Sequence, residues 1–222
     1  MQNKVLNIKP ISKRNSLFLI TLGTLLLGIC FTLNYWFWAD FKIQLTLIML
    51  ASGVVFFIGV LKKLEPKVSI KLTPQMMIYY HRCGSWQVRW QDITRFGRVG
   101  SNMLTQRVEL SFIGIRLNNI QCIADNISPR LANRLLHEQK ELLAVAIRSQ
   151  DITLQQAIID FSPYTLDNKQ YKGPVAAWLY RTEVLLKAYG YHLYLPEDSL
   201  DREIAEFITL LNQCKNYSVV HD

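Results

Sequence analysis

Charge is scarce in this chain. Of its 222 residues only 19% are Asp, Glu, Lys or Arg, while 50% are hydrophobic. That balance is too apolar for an ordinary soluble domain and too polar for a multi-span transporter. The mean hydropathy of +0.11 therefore reads as an average over two unlike parts. Plentiful apolar and aromatic residues exclude a disordered chain, and the length excludes a large multidomain machine. Cysteine is sparse as well: Cys30, Cys83, Cys122 and Cys214 lie far apart with no Cys-x-x-Cys pair, which argues against disulfides and structural zinc. His81, His137, His192 and His221 lack metal-like spacing. The run His137-Glu138-Gln139-Lys140-Glu141 falls one ligand short of the helical zinc-protease motif, because its fifth residue is Glu141 rather than His. No Gly-rich phosphate loop follows a strand, and no Gly-x-Ser-x-Gly elbow is present. The sequence nominates no catalytic residue, no cofactor and no metal site, so the expectation is a non-enzymatic protein.

The places where charge is missing altogether are more informative. Asn15 to Ala39 is a run of 25 uncharged residues, and after Asp40 and Lys42 the stretch Ile43 to Leu61 adds 19 more. At 1.5 Å of rise per residue, about 20 residues cross a hydrocarbon core of about 30 Å. Core helices of globular domains rarely run this long without a polar face. A tight antiparallel transmembrane hairpin is expected, with spans at about 17–38 and 43–61 and an aromatic belt at Tyr35-Trp36-Phe37-Trp38. The first run exceeds a signal-peptide core, ends in bulky residues and is followed at once by the second, which argues against cleavage. Leu27-Gly28-Ile29-Cys30 carries Ile29 where a lipoprotein box needs a small residue. Gly23, Gly28, Gly53 and Gly59 permit close helix contact.

Charge flanking these runs sets an orientation. Residues 1–16 form a basic tail with Lys4, Lys9, Lys13 and Arg14 and no acid, and Lys62, Lys63, Lys67 and Lys71 follow the second run against Glu65 alone. Lys/Arg excess is retained on the cytoplasmic side. Both termini are expected in the cytoplasm, with the protein a multi-pass component of a bacterial inner membrane. Residues 62–116 hold ten Lys/Arg against three Asp/Glu, whereas residues 117–222 hold ten against thirteen. The basic charge is a collar beside the lipid rather than a groove-shaped face, so the bilayer is the expected partner and nucleic acid is not.

Residues 62–150 read as a small antiparallel β module with a closing helix. Val68, Ile70 and Leu72 alternate with Ser69 and Lys71, Met76–His81 resumes the pattern, and Arg82-Cys83-Gly84-Ser85 reads as a turn. Trp86, Val88 and Trp90 alternate next, residues 97–106 read as a loop, and Arg107–Phe112 is the clearest strand. Gly114 is placed at a turn or bulge before Ile115-Arg116-Leu117. Ser128-Pro129 caps a helix running to about Gln150. Residues 151–222 read as helical: a short helix near Leu154–Phe161, a polar loop from Ser162 to Lys172, a helix from Gly173-Pro174 to the C′ glycine Gly190, and another capped by Asp198 or Ser199 with the stripe Leu200, Ile204, Phe207, Ile208 and Leu211.

Tyr79-Tyr80-His81-Arg82-Cys83-Gly84-Ser85-Trp86, followed by Trp90-Gln91-Asp92-Ile93, is similar to the hairpin and Trp-x-x-Ile turn of membrane-tethered bacterial pleckstrin-homology-like domains. Ile127-Ser128-Pro129-Arg130-Leu131 through Glu138-Gln139 resembles short proteobacterial inner-membrane proteins filed as a domain of unknown function. The first resemblance implies a curled sheet closed by one helix, with anionic headgroups held by loops at its open end. The fold class expected is thus an α+β membrane protein: a transmembrane hairpin, then a pleckstrin-homology-like β module packed with C-terminal helices. Lys62, Lys63, Lys67, Lys71, Arg82, Arg89, Arg95 and Arg98 are the candidate contacts for anionic lipid. The functional expectation is a membrane-anchored module that binds a partner protein, anionic headgroups or both. The alternatives are a membrane-bound enzyme acting on a lipid or envelope precursor, or an accessory subunit of a membrane complex. Nothing in the sequence sets an oligomeric state.

Overall fold

The computed structural model describes residues 5–10, 15–64, 66–103 and 106–221. Lys4, Lys13 and Arg14 of the basic tail, and Glu65, lie outside the described residues. The chain divides into two compact units, one of residues 10–67 and one of residues 1–9 with 68–222.

The first unit is α1 (Ser16–Lys63), which leaves helical geometry only at Phe41 (φ −127°, ψ 36°). Its arms, Ser16–Ala39 and Phe41–Lys63, are each long and apolar enough to cross a membrane. The loop expected between the spans is a kink instead. The arms run antiparallel in close contact. A Cβ on Gly23 would lie 2.7 Å from the Phe56 backbone, one on Gly59 would lie 2.8 Å from the Ile20 nitrogen, and Cys30 Sγ is 3.9 Å from Ser52 Oγ. A Cβ on Gly28 or Gly53 would meet nothing within 4 Å.

The second unit begins before α1. Strand β1 (Leu6–Ile8) pairs antiparallel with β2 (Ile70–Leu72), which pairs with β3 (Met76–His81) and then β4 (Gly84–Arg89). One face of this sheet buries Ile8, Ile70, Leu72, Met77, Tyr79, Trp86 and Val88. The alternation read in the sequence is this face. A 3-10 turn at Trp90–Asp92, pinned where the Trp90 indole N–H donates to the Thr73 carbonyl (2.8 Å), leads to a second sheet.

That sheet has β5 (Ile93–Met103), β6 (Gln106–Leu117) and β9 (Leu193–Pro196), in the order β5-β6-β9. Two expectations are corrected here. Most of the supposed loop from residue 97 onward is the far half of β5, and Gly114 sits inside the continuous strand β6, opposite Gly97. Both glycines face Tyr191, whose ring occupies the space where their side chains would be. Their lack of a side chain marks a close approach, not a turn.

The helices are α2 (Gln121–Ala124), α3 (Pro129–Glu138), α4 (Lys140–Arg148), α5 (Pro174–Tyr189) and α6 (Ile204–His221). Ser128 caps α3 as read, its Oγ accepting the Leu131 N–H at 3.2 Å, and Gly190 (φ 79°) ends α5. The single helix expected to run to residue 150 breaks at Gln139. The helix expected at 154–161 is a series of turns, because Leu154, Ile158 and Phe161 remain exposed and a short apolar stripe with nothing to pack on does not hold a helix. The polar loop 162–172 contains a hairpin of β7 (Tyr164–Leu166) and β8 (Lys169–Tyr171), turned by Asp167 and Asn168, both at positive φ. Helix α6 starts at Ile204, so Asp198 and Ser199 fall in a preceding 3-10 turn. Trp86 and Ile115 share one buried cluster with Leu131, Trp178 and Phe207. The sheets and the C-terminal helices therefore have a common core across residue 150.

Candidate functional site

Pairing register decides which basic residues can act together. Lys62 and Lys63 occupy the last turn of α1, and Lys67 lies in the connection after it. Lys71 stands in the middle of β2, between Asn7 of β1 and Ile78 of β3, on the face opposite the core. Arg82 is in the β3–β4 turn and Arg89 ends β4, so about 20 Å of strand separates them at about 3.3 Å per residue. Arg98 is neutralised by Glu109 across the β5–β6 pair, at 2.8 Å. The register spreads this set over two sheets instead of gathering it at one hairpin.

Arg95 is different, and its partner is a residue that sequence reasoning did not nominate. On β5 it lies directly opposite Arg116 of β6. Like charges directly opposite each other in a sheet are destabilising. Among the described residues neither guanidinium forms an ion pair. Arg116 Nη1 makes a long hydrogen bond to the Gly190 carbonyl (3.4 Å), and the Arg95 guanidinium carbon lies 5.1 Å from the centre of the Tyr191 ring. The ring rests on the backbone of Gly97 and Gly114, the next pair on the same face. Lys215 of α6 donates to the carbonyl of Thr94 (2.6 Å), the residue before Arg95, and adds a third cation at this end of the sheet. The Arg95 side is exposed. Two planar guanidinium forks on adjacent strands, backed by an aromatic ring, suit bidentate capture of a phosphate or carboxylate.

His192 follows Tyr191 directly. Its Nδ1 accepts the Leu117 N–H (3.0 Å), and burial, aided by the Arg116 charge, lowers its pKa to about 4. It stays neutral and holds the corner without adding charge. Arg116, Tyr191 and Lys215 carried no local signal. Arg116 and Tyr191 meet Arg95 only through the strand register and the return of the chain after α5, and Lys215 reaches only the Thr94 carbonyl beside it.

The ionisable groups around His81 and Glu138 are tied into structure. His81 Nδ1 accepts the Cys83 N–H (3.1 Å), which leaves Nε2 to face Glu138 Oε1 at 3.2 Å. Arg134 Nε donates to the same oxygen at 2.7 Å. Partial burial pushes the Glu138 pKa up, but the His81 and Arg134 contacts outweigh it and leave the carboxyl below its ordinary value. The zinc-protease near-motif is thus a structural brace between β3 and α3. Burial raises the Cys122 and Cys214 thiols, away from thiolate chemistry. Among the described residues no group of three His, Cys, Asp or Glu could hold a metal ion.

No curated protein and no solved structure matches this chain. One family model does, over residues 70–217, from β2 into α6. On that match the chain belongs to the family described as Protein of unknown function (DUF2982).

Proposed function

We propose that this protein is a two-span membrane protein whose second unit is a pleckstrin-homology-like module on the cytoplasmic face, binding a partner protein, anionic lipid headgroups or both. The observation that carries the reading is the uncovered apolar surface of α1. Leu17, Phe18, Leu25 and Phe31 on one arm, and Ile43, Leu47, Leu50 and Phe57 on the other, are exposed. At about 25 cal/mol per Å² such a surface demands a cover, and two arms of 24 and 23 residues match the bilayer thickness. Pairing of β1 with β2 supports an even number of crossings, because the chain before α1 and the chain after it must lie on one side. Lys62 and Lys63 at the end of α1, with Lys9 before it, favour the cytoplasmic side for those ends. The strand count of the two larger antiparallel sheets, four and three, supports the pleckstrin-homology-like reading, although β9 arrives only after the helices and β7-β8 form a further sheet.

The anion-contacting pair in this reading is Arg95 with Arg116. The full-length protein, extracted in mild detergent, should retain anionic phospholipid or an acidic partner protein in native mass spectrometry. A charge-reversed R95E/R116E protein should lose it while staying in the membrane fraction. Recovery of the wild type in the aqueous fraction without detergent would overturn the anchor. Equal retention by the reversed protein would overturn the site.

A further inference from the structure

Helix α5 carries a second unpaired cation, in a different setting. Arg181 is only 3% exposed, yet among the described residues no carboxylate pairs with it. Among the described residues its five N–H donors find one protein acceptor, the Ala157 carbonyl, 2.9 Å from Nη2. Burying an uncompensated charge is expensive, and burial lowers the pKa of this guanidinium. The side chain lines a cavity of about 160 Å³, roughly the space of five waters. Ala177 and Val184, one turn to either side on α5, are too small or too short to cover it.

The rest of the lining mixes the apolar Ile158 with polar groups. Gln155, Gln156 and Tyr180 contribute amide and hydroxyl groups, and Asp160 stands on the turn segment facing α5. The Asp160 carboxylate accepts the Ser162 N–H at 2.8 Å, and Ser162 donors hold its pKa below the ordinary value, so it is charged. Asp160 and Arg181 line the same cavity and form no ion pair with each other. A cation and an anion that share a small cavity without meeting leave room for a molecule that bridges them.

We propose that this cavity binds a small free zwitterion, with its carboxylate or phosphate oxyanion on Arg181 and its ammonium group on Asp160. The site lies wholly within the second unit and does not depend on membrane insertion or on the Arg95–Arg116 pair. An arginine present only to hold the 153–161 turn through the Ala157 carbonyl would give no ligand response.

The test is calorimetric titration of the full-length protein in detergent with glycine, L-alanine and O-phosphoethanolamine, using acetate and methylammonium as single-charge controls. Saturable binding of at least one zwitterion, roughly tenfold tighter than either control, is expected from one added charged hydrogen bond. D160N changes an exposed residue and should fold. It should bring zwitterion affinity down roughly tenfold, to the level of acetate. R181Q should abolish binding of both. No saturable response to any zwitterion, or undiminished zwitterion affinity in folded D160N, would overturn the proposal.

Discussion

Tyr191 has its position because two residues in front of it have no side chain. Gly97 and Gly114 face each other across β5 and β6, and a Cβ on either would overlap the tyrosine ring. Gly114→Ala should therefore cost about 1–3 kcal/mol through overpacking, read as a fall of several degrees in melting temperature. The same change made in a Tyr191→Ala background should cost far less. A double-mutant cycle in which the two changes simply add would refute the contact. The neighbouring His192 carries a pH signature. Its unfolded value is 6.5 and its folded value about 4, through burial and Arg116. Above pH 6.5 neither state binds a proton, and its full contribution is present. Between pH 6.5 and about 4 the unfolded chain takes up a proton that the native state refuses, so stability declines as pH falls, by on the order of 2–3 kcal/mol. Asn at this position keeps an acceptor near the Leu117 N–H and does not titrate. His192→Asn should flatten the melting-temperature profile across that window. Glu138, whose lowered pKa makes its contribution fade only below its ordinary value of 4.5, should leave the same acid limb in both proteins.

At the scale of elements, the arms of α1 meet along a seam that can be tested covalently. Cys30 Sγ and Ser52 Oγ are 3.9 Å apart, so Ser52→Cys should form an intramolecular disulfide with the native Cys30 under mild oxidation, detected by peptide mass mapping. Gly23→Val should lower that yield sharply, since a side chain there runs into the Phe56 backbone. Unchanged cross-linking would mean that the seam does not depend on the glycine. Elements with a local signature were legible in sequence: α1 from its uncharged length, β2 to β4 from alternation, α3 from Ser128-Pro129, α5 from Pro174 and Gly190. Those that failed lack one. The strand Leu6–Ile8 is three residues long, and its partner lies beyond the whole of α1. The far half of β5 looked like a loop because Gly97 and Gly100 carry no side chains to alternate, and the reason for Gly97 is a tyrosine far along the chain. In the candidate site, Arg95 was visible as a cation near a turn. Arg116 became its partner only through a register that no local pattern encodes.

The whole molecule is best understood as one β/α unit with a helical hairpin inserted into it. Ile8 of β1 and Ile70 of β2 are direct cross-strand partners, and the Ser69 N–H bonds to the Ile8 carbonyl at 3.0 Å. A connection between neighbouring antiparallel strands usually needs two to five residues. Here α1 occupies that place. Removing residues 10–67 and joining Lys9 to Val68 through a short Asn-Gly turn should therefore leave a folded protein that stays in solution without detergent. Residues 68–222 alone should fare worse. They lack Ile8, which is buried in the main core, and a buried Ile is worth about 1.5–3 kcal/mol. They also expose β2 as a bare sheet edge, which invites aggregation. Hydrogen exchange gives the sharpest reading: the Ser69 amide should be protected in the joined protein and exchange freely in the 68–222 fragment. If both exchange alike, or if the joined protein precipitates like the fragment, β1 is no part of the sheet, and the argument that both ends of α1 lie on one side of the bilayer falls with it.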